Sequence, residues 1–339
     1  SDVRPTSSEQ AEMERMLRDA LDAGFVGLSS QQLLFDKIDG ETCRSRTLPS
    51  TYAKPREPLA GDDEEVEIPE SHVDAPAPAP AVEILTALDL IERHPEKRPE
   101  IVHGLLREGE TMNMVASPKT GKSLLVTDLA LAVAGGSPWL GTYGCRGGRV
   151  LIIDNELHPE TMADRLRDVA NARDVSDDVL RRINVLPLRG QLQTIHQLTR
   201  RLDKAERGTW DVIVLDAFYR FLPAETDENS NAAIAGIYNV IDQTADKLGA
   251  AMVCIHHTSK GIQSGKGITD VGAGAGSQSR AVDTHVVLRP HEEPEAVVFE
   301  AVTRSFRLPA ARVFRRRWPV FERADDLDPT LLLKDFGNR

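Results

Sequence analysis

The stretch Ala116-Ser117-Pro118-Lys119-Thr120-Gly121-Lys122-Ser123 carries the first recognisable chemistry of this chain. It fits G-x-x-x-x-G-K-[ST], with Ala116 where the pattern has its first glycine. A loop of this kind, set between a strand and a helix, turns backbone N–H groups and the positive helix end toward phosphate oxygens. Ala116 to Leu124 are therefore the expected contacts of a nucleotide: Lys122 on the β and γ oxygens, the Ser123 hydroxyl offered to Mg²⁺. A methyl group at Ala116 limits backbone freedom at the loop's entry, where glycine would not. Two carboxylate positions complement the loop. The run Trp210 to Asp216 is a hydrophobic strand ending in Asp216, which is expected to hold Mg²⁺ through water. The run Arg149 to Glu156 ends in Asp154-Asn155-Glu156, and a carboxylate there can orient and polarise an attacking water. A histidine pair, His256 and His257, closes another apolar run, either as a hydrogen-bonded structural pair or as a polar sensor of the ligand. No further His or Cys cluster supplies the other ligands of a zinc site.

Such residues converge only if the elements carrying them end at one edge. Short β-rich runs at Thr111 to Ala116, Arg149 to Asp154, Ile183 to Leu188, Asp211 to Asp216, Ala250 to His256 and Thr284 to Leu288 alternate with helical stretches. The helical stretches are Ser123 to Ala134, Pro159 to Ala172, Leu192 to Ala205 and Asn231 to Leu248. This alternation predicts an α/β fold, a mostly parallel sheet with helices on both faces, which takes its ligand at the carboxyl ends of the strands.

The chain has 339 residues, 40% of them hydrophobic, enough for one domain of about 200 to 250 residues and something smaller. Its formal charge is -12, concentrated in residues 1–82, which hold 8 Lys+Arg against 17 Asp+Glu. The acidity thus weighs against a constitutively basic nucleic-acid binder but leaves room for a local basic surface on the rest. Three scattered cysteines, Cys43, Cys145 and Cys254, suggest neither a disulfide framework nor a metal site. With no apolar run of roughly 18 residues and no basic-then-apolar start, a soluble, cytoplasmic protein without membrane contact is expected. The expected organisation is a small helix-strand segment at 1–51, a disordered acidic Ala/Pro-rich linker at 52–82, an ATPase domain at 83–323 and a tail at 324–339.

The ordered set Lys119-Thr120-Gly121-Lys122-Ser123, Asp154-Asn155-Glu156, Asp216 and Ile255-His256-His257-Thr258-Ser259-Lys260 resembles the RecA-like P-loop ATPases. Within them it looks most like the RepA-type replicative helicases of plasmids and phages and related AAA-family proteins. The likeness runs from about Glu83 to Pro319 and includes Asp227-Glu228-Asn229-Ser230, and Gly276-Ser277 ahead of Ala281-Val282-Asp283. It implies that Glu156 is the catalytic base and that His256 or His257 contacts the γ-phosphate. The N-terminal segment also resembles a fragment of the N-acyl-D-amino-acid deacylases, in which a helix, here Glu9 to Ala23, is followed by a strand end like Gly24, Gly27, Ser29 and Ser30, and later by Pro49-Ser50-Thr51. That barrel's metal-binding histidines are missing, since the first His is His72, so the likeness implies a fused remnant without hydrolase activity.

Two basic segments bear on partners. The glycine-rich stretch from Lys260 to Arg280, with Lys260, Lys266 and Arg280, is either a solvated loop or one that tracks a phosphodiester backbone. From Ala301 to Val320 come six arginines and no acid. The resemblance to ring-forming relatives, in which a finger follows the late strand, makes Arg304 and Arg307, after the apolar run Ala296 to Val302, the candidates for reaching a neighbour's ATP in a head-to-tail ring, expected as a hexamer. The remaining arginines are a face for DNA or a solvated strand edge. The expected activity is Mg²⁺-dependent ATP hydrolysis coupled to single-stranded DNA in replication or recombination. The alternative is an ATP-dependent switch or loader that binds a protein partner and turns over slowly.

Overall fold

The computed structural model describes residues 83–117, 120–224, 226, 230–258, 267–271 and 275–333. The expected N-terminal segment and linker, Pro118 and Lys119 of the phosphate loop, Lys260 and Lys266, and Asp227 to Asn229 lie outside the described residues. In chain order the elements are α1 (Ala87–Arg93), β1 (Glu100–Val102), β2 (Leu106–Arg107), β3 (Thr111–Ala116), α2 (Lys122–Gly135), β4 (Val150–Asp154), α3 (Pro159–Ala172) and α4 (Asp177–Leu180). They continue with β5 (Ile183–Pro187), α5 (Ile195–Leu202), β6 (Val212–Asp216), a 3₁₀ helix (Phe218–Phe221), α6 (Asn231–Leu248), β7 (Ala251–His257) and a second 3₁₀ turn (Ile268–Asp270). Last come α7 (Ala275–Ala281), β8 (Thr284–Pro290), β9 (Ala296–Thr303), β10 (Arg312–Arg317) and β11 (Val320–Arg323).

Among the described residues β3 to β11 form one nine-stranded sheet, in the order β11-β10-β9-β8-β3-β7-β6-β4-β5. The strands from β8 to β5 in that order are mutually parallel, as the alternation of strands and helices predicts. Beyond β8 the sheet continues as an antiparallel meander, β9 to β11. β5, at the far edge, is exposed at Asn184, Val185 and Pro187 rather than buried on both faces.

The pleat assigns the central strands' residues to two cores. Val150 and Ile152, Val212 and Val214, and Val253 and Ile255 pack with α2 on one face. Leu151 and Ile153, Ile213 and Leu215, and Met252 and Cys254 pack with α5 and α6 on the other. The period of two therefore decides which face each strand-end side chain serves. Helix α2 is buried on nearly all sides, and each fully buried leucine such as Leu125 or Leu129 contributes roughly 1.5–3 kcal/mol. It begins at Gly121, whose φ of 94° belongs to glycine, and there a Cβ would sit 2.8 Å from the Phe321 ring of β11. Helix α5 is shorter than the expected Leu192 to Ala205. Its start is fixed by a capping box in which the Thr194 hydroxyl accepts from Gln197 N and the Gln197 side chain accepts from Thr194 N. After β11 the chain stays on the sheet: Ala324 N donates to Val313 O, and Leu327 and Leu332 pack on Val298 and Val313.

Candidate active site

Four neighbouring strands, β3, β7, β6 and β4, end side by side, and their carboxyl ends bear the residues picked out above. Register aligns them: Ala116 lies opposite His257, and Asp154 opposite Asp216. Asp154, Asp216 and His257 each fall in phase with the residues facing α2, whose first residue is Lys122. An open cleft of about 430 Å³ lies there, lined by Gly121, Lys122, Ser123, Leu124, Glu156, Arg165, Asp216, His257, Arg316 and Trp318.

Ala116 closes β3 as an ordinary strand residue, so that position makes no demand for glycine's left-handed conformations. The loop holds itself together: the Thr120 hydroxyl donates to Ser117 O at 2.7 Å, and the Ser117 and Thr258 hydroxyls are 3.4 Å apart. Lys122 Nζ donates to Ala116 O at 2.8 Å and meets His257 Nδ1 at 2.9 Å. An ammonium only donates, so Nδ1 accepts and the His257 proton belongs on Nε2, which faces Glu156 Oε1 at 3.8 Å. Burial pulls the Lys122 ammonium down to about 8, against the opposing pull of Asp216 and Glu156.

The carboxylates are held by a backbone clamp. Asp154 Oδ1 accepts from Glu156 N at 2.8 Å and Leu157 N at 2.7 Å, which turns the chain so that Glu156 enters the cleft. Asn155 joins β4 to β6: its Oδ1 accepts from Ala217 N at 3.0 Å and its Nδ2 donates to Ala217 O at 3.2 Å. Asp154 Oδ2 is buried with no hydrogen-bond partner among the described residues. Burial, and then repulsion from Asp154 and Glu156, push the Asp216 carboxyl up to about 7. Glu156 moves the other way, held below the usual carboxylate range chiefly by His257 and, after the opposing effect of burial, by Tyr219.

The histidine pair divides as the pleat dictates. His257 stands in the cleft. His256 points to the α6 side, where its Nε2 lies 3.0 Å from the Tyr238 hydroxyl and 3.1 Å from Asn113 Oδ1. Burial, with the neighbouring His285 adding to it, lowers His256 to about 3, so it is a neutral structural group at ordinary pH. Arg304 and Arg307 follow β9 at the sheet's opposite edge, where Thr303 pairs with the first residue of β8. They do not reach this chain's own cleft. Arg304 donates to Arg280 O, so Arg280 also lies at that far edge.

Sequence reasoning missed Arg165, Arg316 and Trp318. Arg165 is on α3, nine residues beyond Glu156, and helical spacing alone does not tell which arginine of that helix turns inward. Arg316 and Trp318 arrive on the antiparallel hairpin of β10 and β11, which leans on the start of α2 through Phe321. Three other arginines of this hairpin are matched by acids: Arg315 with Asp326, Arg317 with Glu322 and Arg323 with Asp325, while Arg316 itself pairs with Glu295.

Among known proteins, 55 residues of this chain are 51% identical to uncharacterized proteins of Mycobacterium tuberculosis and Mycobacterium bovis. The match covers 16% of this chain, which spans only 9% of the length of those curated relatives. Of solved structures, the RadB recombinase is 16% identical, with 64% of this chain and 92% of that one covered at a TM-score of 0.47. The ATPase domain of G40P is 13% identical, with 64% and 86% covered at a TM-score of 0.48. Neither likeness says what this chain binds. The sequence model of the AAA domain family matches residues 77–263, more than half of the chain and all of the phosphate loop, Asp154–Glu156, Asp216 and the histidine pair. This chain belongs to that family of P-loop ATPases.

Proposed function

We propose that this chain is a Mg²⁺-dependent ATP hydrolase. The observation that carries the reading is the side-by-side ending of β3, β7, β6 and β4, which gathers Lys122, His257, Asp216 and Glu156 around one cleft. ATP lies with its phosphates on the amides at the start of α2, and Lys122 leaves Ala116 O for the β and γ oxygens. Glu156 takes the proton of an in-line water through its carboxylate, which stays ionised because His257 and Tyr219 favour the charged form. His257, touching both Lys122 and Glu156, is the side chain best placed to register the γ-phosphate. Arg165 and Arg316 add positive charge along the rim.

The residues present suit Mg²⁺. Two carboxyl groups, Asp154 and Asp216, face one another across paired strands on the α2 side, one with an orphaned oxygen and the other pushed toward protonation. That is negative charge in want of a cation. Among the described residues no group of three or more His, Cys, Asp or Glu could hold a metal alone. The ion would keep waters and phosphate oxygens and take Ser123 and Asp216 from the protein. When bound, Mg²⁺ supplies charge neutralisation on the β and γ oxygens.

The wider reading is a head-to-tail ring, a hexamer, in which Arg304 or Arg307 at the far edge completes a neighbour's site, with Lys260, Lys266 and Arg280 against single-stranded DNA. Residues 1–51 and 52–82 then act as an appended segment and linker, and the protein works in the cytoplasm. No helix among the described residues is long and apolar enough to cross a membrane. One observation favours the alternative of a nucleotide-driven switch or loader: four of the five arginines of β10 and β11 are answered by carboxylates, which reduces the uncompensated charge there for a phosphodiester backbone. The discriminating measurement is the ATPase rate with and without single-stranded DNA, taken with the mass of the assembly in ATP. The motor reading expects stimulation of about tenfold or more and a ring mass, a change of at least about 1.4 kcal/mol in the barrier. An unstimulated rate with tight protein-partner binding selects the switch.

A further inference from the structure

Glu156 is held by a residue outside the motifs that locate it. The 3₁₀ helix Phe218–Phe221 follows β6 directly, and its residues divide between two sides. Phe218 and Phe221, three apart and so eclipsed in a 3₁₀ turn, are fully buried. Phe218 stacks on Tyr238 with ring centroids 5.4 Å apart and lies 4.7 Å from the His256 ring. The residues between them, Tyr219 and Arg220, turn toward the end of β4. The Tyr219 hydroxyl donates to Glu156 Oε1 at 3.1 Å and accepts from Arg220 Nε at 3.0 Å. Arg220 Nη1 donates to Asn155 O at 2.7 Å, which ties the pair to the strand end that carries Glu156. The Tyr219 ring also meets His257 edge-on at 5.7 Å.

Among the described residues the nearest approaches of three polar groups to the Glu156 carboxylate are to one oxygen: Tyr219 at 3.1 Å, His257 Nε2 at 3.8 Å and Arg220 Nε at 3.9 Å from Oε1. An oxygen already engaged by donors is a poor base, whereas its partner in the same carboxylate keeps its lone pairs for a water. The hydroxyl of Tyr219 is the closest of these donors, and its own orientation is set by Arg220.

We propose that Tyr219 is a positioning residue for hydrolysis: its hydroxyl, oriented by Arg220, fixes Glu156 through Oε1 and leaves Oε2 to take the proton of the attacking water. This rests on the ATPase reading above. It also makes the 3₁₀ helix, which leads into the segment joining β6 to α6, part of the catalytic geometry rather than a connector. Tyr219 is 42% exposed, so replacing it by Phe removes one hydroxyl without opening the core.

The test compares kcat and KM for ATP in wild type, Tyr219→Phe, Glu156→Gln and the double variant, with single-turnover hydrolysis for the slow forms. Tyr219→Phe lowers kcat about 10- to 100-fold, the size of one lost hydrogen bond to a charged group, with KM unchanged. In the Glu156→Gln background the same substitution causes no further fall, because the carboxylate it positions is gone. Wild-type kcat in Tyr219→Phe overturns the inference, as does a loss confined to KM or one of equal size in both backgrounds. Should Glu156→Gln itself turn over at the wild-type rate, the base assignment fails, and the role of Tyr219 with it. That result is distinct from loss in Glu156→Gln without loss in Tyr219→Phe, which removes only the present inference.

Discussion

Glu156→Gln binds ATP as the wild type does and loses turnover by about 10²- to 10⁴-fold, the range set by a positioned general base. The substitution preserves shape, and the Gln amide oxygen still accepts from the Tyr219 hydroxyl, so the cleft keeps its geometry. What disappears is a group able to accept a proton. Nucleotide affinity is expected to hold because, in the proposed binding mode, the phosphates rest on the start of α2 and on Lys122 rather than on Glu156. Phosphate release together with equilibrium binding of a non-hydrolysable analogue measures both halves. Equal turnover by the two proteins removes Glu156 from the mechanism.

Lys122→Ala acts earlier, at binding. Lys122 is only 8% exposed and its ammonium makes its closest contacts with Ala116 O and His257 Nδ1, so it sits coiled within reach of the proposed phosphate site. Losing a charge-assisted contact with phosphate costs about 1.5–3 kcal/mol, which weakens ATP binding by about 10- to 100-fold and takes turnover below detection. The cost is aggravated by what remains: Asp216 and Glu156 lose an ammonium that attracts them, and the cleft turns more negative toward an anionic ligand. The folded state survives, since α2 keeps Leu124, Leu125 and Leu129 in the core. Calorimetric titration with Mg²⁺ and ATP checks the affinity, and near-wild-type affinity would remove Lys122 from the phosphate site.

The sequence carries the parallel half of this molecule openly, for a local reason. A buried strand between two helical layers must be apolar throughout, so a polar residue at its end stands out, as Asp216 does after Val212 to Leu215. The lysine after Gly121 and the carboxylates after Ile153 are legible for the same reason. Helices α3 and α6 begin and end where the sequence predicts because Pro159, Ser230 and Gly249 mark their ends. The histidine pair is resolved by arithmetic available in the sequence: counting by two from Val253 and Ile255 puts His257 on the α2 face and His256 on the other.

Other features depend on contacts between residues distant along the chain. The antiparallel meander brings Arg316 and Trp318 over the phosphate loop, nearly 200 residues after it, and no local pattern announces that register. Half of the arginine-rich stretch reads as unopposed charge because the acids that pair with Arg315, Arg316 and Arg317, namely Asp326, Glu295 and Glu322, lie outside it and meet it only in the folded sheet. Tyr219 escapes notice because a tyrosine between two phenylalanines reads as core. Only the 3₁₀ turn separates the buried rings from the one that faces Glu156.

The central claim is that four strand ends surround one Mg²⁺–triphosphate. A crystal structure of this chain with Mg²⁺ and a non-hydrolysable ATP analogue tests it most directly. The account predicts phosphates on the amides of Gly121 to Ser123, the Lys122 ammonium moved from Ala116 O to the γ-phosphate, the metal between Ser123 and Asp216, and Glu156 facing the γ-phosphorus across a water. Nucleotide bound at another edge of the sheet, or held in this cleft with Asp216 and Glu156 both remote from the phosphates, would contradict it.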